Sequence, residues 1–186
     1  MFNCDMDYFQ IRDALRAKDK TKFLYTIEFF PEEGKYHHDG HRVCSVCFSP
    51  QEAIKRNNLC PVCGKPLTIG VAHRVELLAD RDEGFMPIDA PPFRSAIPLV
   101  EILSEVMSVG PQSKAVGNEY MRLLSSLGSE FTILLLTPLS EIEKASTLRV
   151  SEAIKRMREG FVRIKPGYDG EYGRVKIFEG VEEGRS

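Results

Sequence analysis

Cys44-Ser45-Val46-Cys47 and Cys60-Pro61-Val62-Cys63 are two C-x2-C pairs with twelve residues between them. Each pair is a tight turn that aims two sulfurs at one point, and two such turns close a tetrahedron of thiolates around zinc at ~2.3 Å per bond. The spacing therefore predicts one Zn2+ held by Cys44, Cys47, Cys60 and Cys63. A shell of four sulfurs has no position for water, so the ion is expected to be structural. The competing readings are two disulfides or four free thiols. The sequence shows no secretory leader, which weighs against disulfides and fits a reducing cytoplasm.

The residues around the pairs have their own local instructions. Ser49 reads as an N-cap, Pro50 as the first helical residue and Glu52 as the capping-box partner, so a short helix bridges the knuckles. Pro66 to Val71 reads as a strand. Together these features predict a zinc-ribbon-like domain. All four histidines, His37, His38, His41 and His73, fall in the same region. His37, His41 and His73 are the alternative set, for a second metal. Gly34, Asp39 and Gly40 argue for a loop rather than a helix there, and a polar loop whose imidazoles hydrogen-bond or meet phosphate is the plainer reading.

Charge is uneven. The 186-residue chain has a formal net charge of −2, which excludes a bulk polyanion binder. Lys35 to Val75 has six Lys/Arg residues against Asp39 and Glu52, a local +4. Zinc with four thiolates lowers that to about +2, still locally basic. Such a region suits a restricted nucleic-acid contact, although ordinary solvated charge explains it as well. No apolar run reaches the ~20 residues of a membrane span. There is no Walker A pattern, G-x-G-x-x-G, G-x-S-x-G or H-E-x-x-H, so no catalytic machine is evident.

Outward from the cysteines, Met1 to Lys22 reads as a helix centred on Tyr8 to Arg16, with Cys4 an unligated thiol. Phe23 to Phe30 reads as a strand. Pro87, Pro91, Pro92 and Pro98 mark an extended connection. Beyond it, amphipathic helices are expected from Pro98, from Ser113 to Leu127, from Ser140, and over Val150 to Arg158, with Gly110, Gly128 and Gly160 as stops. Phe131 to Leu136 is a short buried apolar segment. Phe161–Lys165 and Arg174–Phe178 alternate at period two and form a hairpin around Pro166 to Gly173. That loop has three glycines and two tyrosines. Basic residues beside tyrosines can hold a phosphate backbone and stack a base; tyrosines packed on the helices are the alternative.

The run Thr26 to Arg42, the paired knuckles, Thr68-Ile69-Gly70-Val71-Ala72-His73-Arg74-Val75, Leu78-Ala79-Asp80-Arg81 and Pro166-Gly167-Tyr168-Asp169-Gly170-Glu171-Tyr172-Gly173 resemble the C-terminal half of the endonuclease Q family. Many members of that family are labelled only PHP-domain or UvrD-helicase-like proteins. The resemblance extends over nearly the whole chain. It implies a zinc-binding domain and a helical part that, in the family, follow a PHP phosphoesterase domain. It also implies that the intact relatives nick DNA on the 5′ side of deaminated bases such as uracil and hypoxanthine, with catalytic metals in the PHP domain. The clustered His/Asp ligands of a PHP site have no counterpart in this sequence, which begins where such a domain ends.

The expected fold is α+β: a zinc-ribbon-like domain followed by a mainly helical domain with a terminal β-hairpin. The expected division is residues 1–25 (helix and lead-in strand), 26–83 (zinc-binding), 84–98 (proline-rich connection) and 99–186 (helical, with the hairpin). The expected function is DNA binding and damaged-base recognition without cleavage by this chain alone, the PHP domain being supplied in cis or in trans. Expected DNA contacts are Lys35, Tyr36, His37, His38, Arg42, Arg74, Lys165 and Tyr168. The alternatives are a protein-binding zinc ribbon or helicase accessory with no lesion preference, and an enzyme built on a second histidine-held metal.

Overall fold

In a computed structural model of the chain, residues 1–178 are described. In order they form α1 (Tyr8–Ala17), β1 (Thr26–Glu28), β2 (Asp39–His41), β3 (Val46–Phe48), α2 (Pro50–Lys55), α3 (Val71–Leu78), β4 (Phe93–Ser95), α4 (Leu99–Met107), α5 (Lys114–Leu127), α6 (Glu130–Leu135), α7 (Leu139–Ala145), α8 (Leu148–Glu159), β5 (Arg163–Lys165) and β6 (Arg174–Lys176). Single 3-10 turns occupy Pro31–Glu33 and Arg42–Cys44. The strands form three two-stranded sheets, β1–β4, β2–β3 and β5–β6. The fold is therefore α+β with a β5–β6 hairpin after the helices. The last residues of the expected helical domain, 179–186, lie outside the described residues. No described helix is long and apolar enough to cross a membrane.

Helix boundaries follow side-chain caps. Ser49, Ser113, Ser129 and Thr147 each accept a hydrogen bond from the backbone N–H three residues on, opening α2, α5, α6 and α8. Ser49 and Glu52 complete the expected capping box. These bonds satisfy donors that a helix start leaves without partners. Gly160 ends α8 at φ 74°. The helix from Pro98 stops sooner than Gly110, because Ser108 itself takes the left-handed conformation at φ 56°.

The chain divides into two units, each assembled from separated segments. Among the described residues, 1–178, one contains 1–29, 88–163 and 176–178; the other contains 30–87 and 164–175. This differs from the linear succession expected from sequence. The first unit gains its N-terminal segment because β1 pairs in parallel with β4, Thr26 opposite Phe93. That strand lies inside the proline-rich stretch expected to be irregular. Prolines hold their neighbours extended, and Phe93–Ser95 use that conformation to pair. The core of this unit is apolar and closed: Leu99, Ile102, Leu103, Val116, Leu123, Ile133, Ile142 and Ile154 are fully buried. Each such side chain contributes about 1.5–3 kcal/mol by leaving water. Arg158 fixes the end of α6 by donating to the carbonyls of Ile133, Leu134 and Thr137, each at 2.8 Å.

In the second unit, Val46, Ala53, Cys60 and Leu67 form the buried cluster, with Cys44 and Phe48 against it. The antiparallel β2–β3 register sets Asp39 opposite Phe48, Gly40 opposite Cys47 and His41 opposite Val46. The expected strand over Pro66–Val71 shrinks to isolated bridges, Gly40 with Thr68 and Leu59 with Pro66. Gly70 then caps α3, so Val71 is helical rather than extended.

Candidate metal centre and nucleic-acid surface

His41, Cys44, Cys60 and Cys63 converge, with their ligand atoms all within 4.8 Å of one another. The local folding explains how. The 3-10 turn over Arg42–Cys44, ended by left-handed Ser45 (φ 54°), carries Cys44 in the connection between β2 and β3. On the other side, Cys60 N donates to Lys65 O at 2.8 Å and Gly64 N to Cys60 O at 2.8 Å, closing the second knuckle. His41 Nδ1 lies 3.6 Å from Cys63 Sγ. A tetrahedral zinc with one nitrogen and three sulfurs has N–S edges of about 3.6 Å. The donor set and its spacing fit zinc, and four protein ligands fill its usual coordination.

The structure brings together three of the four expected cysteines and puts His41 where Cys47 was expected. Residues alternate faces along a strand. Cys47, opposite Gly40, therefore lies on the other face of the β2–β3 pair from His41. Its Sγ is 4.0 Å from His38 Nδ1. Among the four cluster residues, Cys44 is pushed up to about 11 by burial and by hydrogen bonding to Cys63 and Cys60. Burial also opposes ionisation of Cys60, but the backbone N–H groups of Cys63 and Val62 and the neighbouring thiols bring it down to about 7. Zinc binds thiolates, so loading the site releases thiol protons. Burial pushes the Cys47 thiol up as well.

The histidines do not converge on a second centre. His41 joins the cysteines. His73 Nδ1 is 2.6 Å from Asp39 Oδ2, both side chains buried. His37 stacks on His38 with ring centroids 5.1 Å apart. Desolvation, reinforced by His37, lowers the His38 pKa.

Of the expected DNA contacts, Lys35, Tyr36, Arg42, Arg74 and Lys165 are exposed, and His37 and His38 are half-buried. Tyr168 is the exception. It is only 7% exposed, and a Cβ at Gly40 would overlap its ring. The backbone of Tyr168 exchanges hydrogen bonds with Glu171 at 3.0 and 2.8 Å. In this structure Tyr168 is a packing residue, and no ring face is open for a base. Asp169 beside it locks the loop: Oδ2 accepts from Arg42 N and Oδ1 from Thr68 Oγ1, both at 2.6 Å. Tyr172, not among the expected contacts, is 73% exposed. Both tyrosines sit in one glycine-rich loop, and nothing in their spacing separates the buried ring from the exposed one.

Residues 98–161 match a family described as the MJ0043 C-terminal domain. The chain is 32% identical over 168 residues to protein MJ0043 of Methanocaldococcus jannaschii, covering 90% of this chain and 21% of that protein. It is 27% identical over 171 residues to YqxK of Bacillus subtilis, covering 91% and 40%. Among solved structures, the lesion-specific endonuclease PfuEndoQ from Pyrococcus furiosus matches with a TM-score of 0.81 and 32% identity, over 96% of this chain and 45% of that one. An endonuclease Q complexed with a 27-mer duplex substrate, with an abasic lesion at the active site, matches with a TM-score of 0.75 and 30% identity, over 98% and 46%. The chain spans less than half the length of each of these relatives, and nearly all of it is similar in sequence and fold to part of endonuclease Q.

Proposed function

We propose that the chain is the DNA-contacting, damaged-base-reading part of an endonuclease Q-like DNA-repair nuclease. One observation carries this reading: 98% of the chain matches, at a TM-score of 0.75, an endonuclease Q held on a duplex with an abasic lesion. The exposed cations Lys35, Arg42 and Lys165 in the second unit support it. Zinc on His41, Cys44, Cys60 and Cys63 is structural, holding the two knuckles that carry this surface. Cleavage belongs to a PHP phosphoesterase domain acting in cis or in trans, and the lesions read are deaminated bases, uracil or hypoxanthine. The one group of three or more potential metal ligands found among the described residues is the thiol-rich cluster, whose four protein ligands suit structural rather than hydrolytic zinc. Thiols kept as metal ligands fit a reducing cytoplasm.

Fluorescence anisotropy with uracil-containing and undamaged duplexes, over a salt series, tests the proposal. Binding at low salt that tightens on the damaged duplex is expected. A specific observation favours a second reading. Val71, Val75 and Leu78 form an exposed apolar stripe along α3 at helical spacing, the kind of face that meets a protein. No DNA binding at low salt would favour that protein-binding scaffold.

A further inference from the structure

Two exposed tyrosines and two cations are gathered at one corner of the second unit. Lys35 Nζ lies 5.7 Å from the Tyr36 ring centroid and 5.6 Å from that of Tyr172. Tyr36 is 46% exposed and Tyr172 73%. A Cβ built on Gly170 would sit 3.7 Å from the Tyr36 hydroxyl and 3.8 Å from an Arg42 guanidinium nitrogen, which places that second cation beside the first ring.

The corner is built by backbone. The loop of residues 167–173 lies directly on the loop of residues 32–38. Gly167 N donates to Glu32 O at 2.8 Å, Gly173 N to Glu33 O at 3.0 Å, Gly170 N to Lys35 O at 2.9 Å and His38 N to Gly167 O at 2.9 Å. Side chains at Gly167 or Gly173 would collide with the carbonyls of Gly34 and Glu32. These four bonds fix the Cα positions of Lys35 and Tyr172 relative to one another. The two exposed rings are thus presented on a fixed frame, not on independent loops.

The geometry points to Tyr172, with Tyr36, as a stacking platform for an unpaired nucleobase of a DNA strand, with Lys35 and Arg42 meeting the phosphates on either side. This rests on the DNA-binding reading above and deepens it. Stacking on an aromatic ring tolerates any base and needs an open ring face, which Tyr172 has and Tyr168 lacks. Cations next to exposed rings are the other half of a single-strand site, because they follow the backbone. A fully paired duplex has no free base face to offer, so the platform discriminates by pairing state rather than by sequence.

The test uses the full chain, loaded with zinc, and two fluorescein-labelled duplexes: one fully paired, one with a single bulged nucleotide. Tyr172→Ala and Tyr172→Leu are each expected to weaken binding of the bulged duplex roughly five- to hundred-fold. They should change binding of the paired duplex less than two-fold and leave the salt slope unaltered. Tyr172→Phe retains the ring and should behave as the parent. Lys35→Ala should weaken both duplexes and reduce the salt slope by about one unit. Parent protein that binds DNA while both ring-removing variants bind the bulged duplex equally well overturns the platform and leaves the DNA reading intact. Equal weakening on both duplexes with a shallower salt slope also overturns it, because Tyr172 would then act only by holding Lys35. Parent protein that binds neither duplex at low salt fails the DNA reading itself. Unchanged melting temperatures establish that the exposed position does not report on folding.

Discussion

Asp39 Oδ2 lies 2.6 Å from His73 Nδ1, and both side chains are buried. Oδ1 of the same carboxylate accepts from Gly70 N at 2.7 Å. One buried carboxylate thus ties the start of β2 to the N-terminal turn of α3, 34 residues on. In the same strand, the register pairs Asp39 with Phe48 and His41 with Val46. The pair is a structural joint between β2 and α3.

Asp39→Ala leaves the His73 ring and the Gly70 N–H buried without partners. The expected cost is roughly 2–5 kcal/mol, measured by denaturant unfolding of zinc-loaded protein. A loss below about 0.5 kcal/mol, the level of an ordinary surface change, would show that the joint is dispensable.

Zinc content separates the two ligand sets. The purified chain should contain one zinc. His41→Ala and Cys60→Ser should each lose or weaken it and lower the melting temperature, since metal binding and folding are coupled. Cys47→Ser should keep it. The opposite pattern, retention by His41→Ala and loss by Cys47→Ser, would restore the four-cysteine set. Metal analysis together with thermal melts reads both.

Acid should loosen the loop of residues 167–173 through Asp169. Hydrogen bonds from the Thr68 hydroxyl and the Arg42 N–H hold its carboxyl below the usual carboxylate value. A group depressed in the folded state contributes its stability above its unfolded pKa and loses it as pH falls through the folded one. The contribution is therefore present from about pH 4 upward and fades below it. Asp169→Asn should reduce stability by about 1–2 kcal/mol at neutral pH and narrow the difference from the parent below pH 4. Urea titrations between pH 3 and 7 measure it; a constant gap across that range would refute the assignment.

Leu103 is fully buried in the helical unit. Leu103→Ala should cost about 2–5 kcal/mol from lost burial and the cavity left behind. Chemical denaturation followed by far-UV circular dichroism measures it.

Highly purified chain should not nick uracil-containing duplex in Mg2+, Mn2+ or Zn2+. The proposed division of labour gives it the reading and not the cutting. Divalent-dependent nicking that persists through purification would place a cleaving centre within these residues.

Much of the local structure was legible because its causes are local. Ser49, Pro50 and Glu52 specify α2 among themselves, Ser113 and Gly128 bound α5, and Gly160 ends α8 by its own left-handed backbone. The Cys60–Cys63 knuckle is likewise local, closed by Gly64 N donating to Cys60 O. What the tertiary structure decided depends on pairing at a distance. The β2–β3 register chose His41 over Cys47 by turning one to each face. The close approach of Gly40 to the Tyr168 ring buried that tyrosine and left Tyr172 outside. The parallel pairing of Thr26–Glu28 with Phe93–Ser95 took the N-terminal segment into the helical unit. A cap or a turn acts over three or four residues, whereas a one-residue change of register reverses every face of a strand. Spacing along the chain does not determine that register; the packing of segments far apart in sequence does.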